Sequence, residues 1–147
     1  MSIPVHGAFS DITSPGGRFL AEAAYVWSVF GEHARALRIF ERLGVAFPAH
    51  HLPVLGQAEC HIELGAPLVA ARLAEAAETL GGHSRQSLAY AVLVKGKAHA
   101  RLGRAREATR AFDQASQLDP NGLVGNLAKD MAAVLRPASK QRKVGGG

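Results

Sequence analysis

The sequence predicts an all-α protein: a solenoid of three stacked helix hairpins closed by a C-terminal capping helix. Three observations predict it. A glycine-anchored pattern recurs along the chain, apolar residues stand three and four apart on either side of each anchor, and an amphipathic stripe follows the last recurrence.

The elements follow in chain order. Residues 1–16 contain Pro4, Pro15 and Gly16 and no helical period, so they read as a flexible arm. The first unit is 17–50. Anchored on Gly31, Ala36, Phe40, Leu43 and Pro48 follow at offsets of 5, 9, 12 and 17. The second unit is 51–84, where Gly65 is followed at the same offsets by Ala70, Ala74, Ala77 and Gly82. The third unit is 89–122, where Gly103 is followed by Ala108, Phe112, Ala115 and Pro120. Seven residues before the anchors stand Ala24, Ala58 and Gly96, all small; eleven before stand Leu20, Val54 and Val92, all branched. The first two anchors are 34 residues apart and the next two 38, which places about one extra helical turn near His83–Ser87.

Each unit is thus a helix ending at a turn glycine, a second helix, and a breaker. Small residues let the two helices approach, and large ones fill the space left. A single hairpin cannot cover its own apolar face, but stacked neighbours can. Beyond the third unit, Leu123, Leu127, Met131, Val134 and Leu135 form one stripe over 122–136, the capping helix that a solenoid end needs. Residues 137–147 are polar, basic and glycine-rich and read as a disordered tail.

Length and composition bound the function. A chain of 147 residues is one domain, and 48% apolar content is enough for a core. No window of about eighteen apolar residues exists, so no membrane span or membrane partner is expected. The start lacks a basic and apolar leader, and the lone Cys60 cannot close an internal disulfide, which points to a reducing, cytoplasmic compartment. The net charge of +5 is unevenly spread: residues 1–94 carry −2 and residues 95–147 carry +7. The densest part, 95–110, sets six basic residues against Glu107. Only Tyr90 lies near as a stacking platform, so nucleic acid is disfavoured as a partner. A solvated face or an acidic protein accounts for the charge better.

The stretch AHHLPVLGQAECH (49–61) gathers three histidines and the cysteine. His51 and His61 are ten residues apart on one helix, roughly 15 Å along its axis, too far to share an ion. His61 takes the slot of Trp27 and His99, a packing slot, and Cys60 takes the apolar slot of Val26 and Ala98. No metal site and no cofactor is expected. Walker, HExxH and GxSxG patterns are absent, so no catalytic residues are assigned and the chain does not read as an enzyme.

The pattern FLAEAAYVWSVFGEHARALRIFERLGVAFP, repeated at about 34 residues with a closing proline, resembles the tetratricopeptide repeat (TPR) family. The resemblance covers roughly 17–122 and implies a right-handed α-solenoid whose first helices line a concave groove. Transferred by offset from each glycine, the groove positions are Arg18, Ala21, Tyr25 and Ser28, then Leu52, Leu55, Glu59 and Ile62, then Tyr90, Leu93, Lys97 and Ala100, with Arg101 beside them. The core-facing positions are Leu20, Ala24, Trp27, Val54, Ala58, Val92 and Gly96. Five large apolar residues on one open face would mark a binding site for an amphipathic helix or apolar segment. Residues 1–16 folding over the groove and self-association into a homodimer are alternative occupants to a separate protein. In size and layout the chain also resembles the TPR chaperones of type III secretion, closer to the needle and export-apparatus type than to the acidic translocator type, which opens with a dimerising helix. The resemblance implies a chaperone; the alternative is an adaptor or scaffold in a multiprotein complex.

Overall fold

The computed structural model describes residues 15–80 and 83–145, with side chains to residue 136. Among these residues the chain is seven helices: α1 (Pro15–Val29), α2 (His33–Ala46), α3 (His51–Glu63), α4 (Pro67–Thr79), α5 (Arg85–Arg101), α6 (Ala105–Leu118) and α7 (Leu123–Gly145). Three hairpins, α1–α2, α3–α4 and α5–α6, are followed by the cap α7. The extra turn belongs to α5, which has 17 residues where α3 has 13.

The three anchor glycines make the same turn. Gly31, Gly65 and Gly103 have φ of 81°, 82° and 75°. In each, the N–H one residue past the glycine donates to the carbonyl five residues back: Glu32 to Trp27 at 2.8 Å, Ala66 to His61 at 2.7 Å, and Arg104 to His99 at 2.9 Å. The glycine N–H donates three residues back, to Ser28, Ile62 and Ala100. These are three Schellman caps. A Cβ at Gly103 would meet nothing within 4 Å, so its requirement is purely conformational. Gly103→Ala should therefore cost about 1–2 kcal/mol, with Gly103→Asn losing less because asparagine tolerates this region. Thermal melts of the three proteins check this; equal melting temperatures would contradict it.

Other helix ends are closed by side chains. The His50 ring nitrogen Nδ1 accepts from the Leu52 N–H at 3.1 Å, and Ser84 Oγ accepts from the Ser87 N–H at 3.0 Å. Proline opens α1 and α4, where its missing N–H costs nothing. Residues 15 and 16 thus belong to the first helix, and residues 1–14 of the expected arm lie outside the described residues. At the other end the backbone stays helical to Gly145, past the expected stop at 136.

Three core clusters follow one another along the solenoid. Ala21, Ala24, Ala36, Phe40, Leu43, Leu52 and Cys60 join α1, α2 and α3. Leu55, Ala58, Ile62, the alanines of α4, Ala91, Val94 and Ala98 join α3, α4 and α5. Ala89, Val92, Leu93, Phe112, Val124 and Ala128 lie in the cluster of α5, α6 and α7. Each cluster is completed by the first helix of the next unit, which is why no hairpin stands alone. Surface ion pairs add ties: Arg136 meets both oxygens of Asp113 at 2.6 and 2.5 Å, and Lys95 meets Glu78 at 2.7 Å.

Candidate peptide-binding wall

Consecutive helices pack pairwise, and the first helices also meet one another: α1 touches α3, α3 touches α5, and α5 touches α7. Among the described residues the second helices α2, α4 and α6 do not meet. Closer spacing on one side curves the stack, so α1, α3, α5 and α7 form its inner wall.

The wall differs from the expected apolar face. Leu52, Leu55, Ile62 and Leu93 are buried, Leu55 and Leu93 at 1% exposure. Leu55 and Ile62 sit in the seam against the small residues of α4 and α5, Leu52 sits with Phe40 and Leu43, and Leu93 sits with Phe112 and Val124. Ala21 is buried too. The physical reason is the tight stacking of the first helices: a position one turn from the open row is covered by the next unit. The core expectation also fails at α1. Leu20 is 41% and Trp27 37% exposed, because among the described residues α1 is covered only by α2 and α3. Ala24, Ala58, Val92 and Gly96 are buried as expected, and Val54 is half-buried.

What remains open on the wall is aromatic and charged. Tyr25, Glu59 and Lys97 hold the same position, six residues before each glycine, and all three are half-buried. Tyr90 is half-buried between the second and third clusters, while Arg18 and Arg101 are exposed. Glu63, which the offsets did not select, is exposed at the end of α3. Lys97 Nζ lies 4.0 Å from Glu59 Oε2, joining α5 to α3 across the wall.

Burial pushes the Glu59 carboxyl above its ordinary value; Lys97 opposes this and Glu63 adds to it. A raised carboxyl binds more protons folded than unfolded, so stability falls as pH rises through its titration. Glu59→Gln should melt higher than the wild type at neutral pH, and the difference should vanish well below the ordinary carboxylate value. A variant that melts lower at neutral pH would contradict it.

The histidines and Cys60 are packing groups. Cys60 is fully buried in the first cluster, and burial, with Glu59 and Glu63 adding to it, pushes its thiol up to about 12. Such a thiol is no nucleophile. His99 is buried in its slot and His61 half-buried. His51 stacks between His50 and His83, with ring centroids 4.8 and 4.0 Å away. His83 also bridges the Ala77 carbonyl at 2.6 Å and Ser87 Oγ at 2.9 Å. No residue spacing announces this three-histidine cluster, since His83 belongs to the next joint. Among the described residues no group of three His, Cys, Asp or Glu can hold a metal ion, and no helix is long and apolar enough to cross a membrane.

The architecture is that of a helical-repeat domain: the chain has the tetratricopeptide-repeat fold. No family profile matches the sequence, and no curated protein matches it. Solved structures do. The first TPR domain of Spaghetti (RPAP3), bound to the HSP90 peptide SRMEEVD, is 19% identical with a TM-score of 0.71, covering 84% of this chain and 93% of that one. The Yersinia enterocolitica type III secretion translocator chaperone SycD, in an alternative dimer, is 18% identical with a TM-score of 0.75, covering 91% and 98%. SycD in complex with a peptide of the translocator YopD is 17% identical with a TM-score of 0.73, covering 91% and 99%.

Proposed function

We propose that this chain is a cytoplasmic chaperone that holds a segment of a partner protein against the wall of α1, α3 and α5, plausible clients being subunits of a type III secretion system. The observation that carries it is the wall itself: first helices that meet in a row and leave Tyr25, Glu59, Tyr90 and Lys97 half-open. Supporting it, solved proteins of this fold are captured with peptides, an HSP90 peptide in one and a YopD peptide in another. With the leucines in the core, the wall suits an amphipathic segment better than a purely apolar one. Tyrosines offer broad apolar contact with a hydroxyl at the edge, and Glu59 and Lys97 can exchange their mutual pairing for pairing with a client. The SycD likeness adds translocator clients to the needle and export-apparatus subunits that the sequence resemblance favours. An adaptor role in a multiprotein complex rests on the same wall.

Co-expression separates the two. A chaperone should bring an otherwise insoluble product of a neighbouring short reading frame into solution as a defined complex. Binding only to proteins that are already folded and soluble would favour the adaptor.

A further inference from the structure

Two positions recur on the open face of each first helix, six and two residues before the turn glycine. They are four residues apart, so they lie on one face of their helix. On α1 they hold Tyr25 and Val29, on α3 Glu59 and Glu63, and on α5 Lys97 and Arg101. The first helices stand side by side in chain order. The wall is therefore three parallel columns: apolar, then acidic, then basic. In each column the first member is half-buried and the second exposed. Phe19 and Phe30, exposed on the outer side of α1, point about 120–140° away from Tyr25 and belong to no column.

The acidic and basic columns do not simply cancel. Glu59 and Lys97 meet at 4.0 Å, the outer limit of an ion pair. Among the described residues Glu63 and Arg101 meet no opposite charge within that distance, although both are exposed. Each column thus keeps charge to offer. Resting on the reading of the wall as a client site, we infer that it selects its client by charge order: a basic side chain opposite α3, set between an apolar one opposite α1 and an acidic one opposite α5. Opposite charges fix the register of such a contact, and like charges reject the wrong one. A wholly acidic segment would meet its own sign on α3, and a wholly basic one on α5. Neighbouring helices stand about 8–10 Å apart. An extended chain of the polyproline II kind rises about 9 Å in three residues and returns to the same face. A helix does so in about seven residues. Either form presents the three side chains in line, so order is the property the columns read.

The test is retention of the full chain on immobilised synthetic peptides. They carry one leucine, one lysine and one glutamate in a neutral background, in every order, at three-residue and at seven-residue spacing. The wild type should prefer a lysine-centred order over a glutamate-centred one by roughly fivefold or more, the worth of about one exposed ion pair. Glu63→Lys/Arg101→Glu changes only exposed side chains and should erase the preference. Glu59→Lys/Glu63→Lys/Lys97→Glu/Arg101→Glu should turn it to the glutamate-centred order. A wild type that prefers another order, shows no preference or retains no peptide overturns the inference. So does a preference that the exposed-pair variant keeps, because the charges then only tie α3 to α5. Retention that ignores order but is lost in Tyr25→Ala/Tyr90→Ala overturns the charge order and leaves the client wall standing. Retention that the tyrosine variant keeps removes both.

Discussion

Leu55→Asp is expected to unfold at least the middle of the solenoid. Leu55 lies in the cluster that joins α3, α4 and α5, surrounded by Ala58, Ala70, Ala74, Ala91 and Val94. Truncating a buried leucine costs about 2–5 kcal/mol. A carboxylate placed there without a partner adds several more. The total rivals the whole stability of a small domain, about 5–15 kcal/mol. Because the cluster is shared by two hairpins, its loss also uncouples the first core cluster from the third. Far-UV circular dichroism should show most of the helical signal gone at room temperature. A native-like spectrum and melting curve would mean that Leu55 is a surface residue after all.

Gly96→Val should be the next most damaging single change. A Cβ at Gly96 would lie 2.6 and 2.8 Å from Phe112 ring carbons and 3.1 Å from the Ala111 Cβ. The ring is fully buried, so it has no free direction in which to move. Overpacking of this kind typically costs 1–3 kcal/mol, or about that range, against a helix-propensity gain of a few tenths of a kcal/mol from losing glycine. Phe112→Leu in the same chain should recover part of the loss, giving a favourable coupling in a double-mutant cycle. Additive losses would mean that the two side chains do not compete for the same space. Gly56 faces Phe40 in the same way, with ring carbons 2.5 Å from its Cβ position, so the large–small pairing recurs at the joint between the first two hairpins.

These two sites show what was legible in the sequence. The turn glycines and the large–small pairs are local: Gly103 must adopt positive φ, and Phe112, nine residues after it, needs the gap left at Gly96. Both leave a residue type at a fixed offset, so hairpins, order and cap could be read directly. Exposure is not local. Leu55, Leu93 and Trp27 each stand at a regular position on their own helix, yet neighbours decide whether each is covered. α5 packs against α3, α4, α6 and α7, so Leu93 is buried and nearly every face of that helix with it. Among the described residues α1 packs only against α2 and α3, so Trp27 is open where the equivalent His99 is closed. A wheel drawn for one helix contains neither fact. The members of the wall that were legible, Tyr25, Glu59 and Lys97, share one offset that points between neighbours rather than at them.

The wall of α1, α3 and α5 is proposed to hold a partner segment. The most direct measurement is the affinity of a client recovered by co-expression, for the wild type and for Tyr25→Ala/Tyr90→Ala. Both tyrosines are half-buried, so the variant should keep its helical spectrum and melt only slightly lower. Aromatic anchors of an interface typically contribute about 2 kcal/mol or more each, so removing both should raise Kd by roughly several hundredfold. An unchanged Kd in the tyrosine variant, with binding lost instead in Phe19→Asp/Phe30→Asp, would contradict the account and move the client to the outer face of α1.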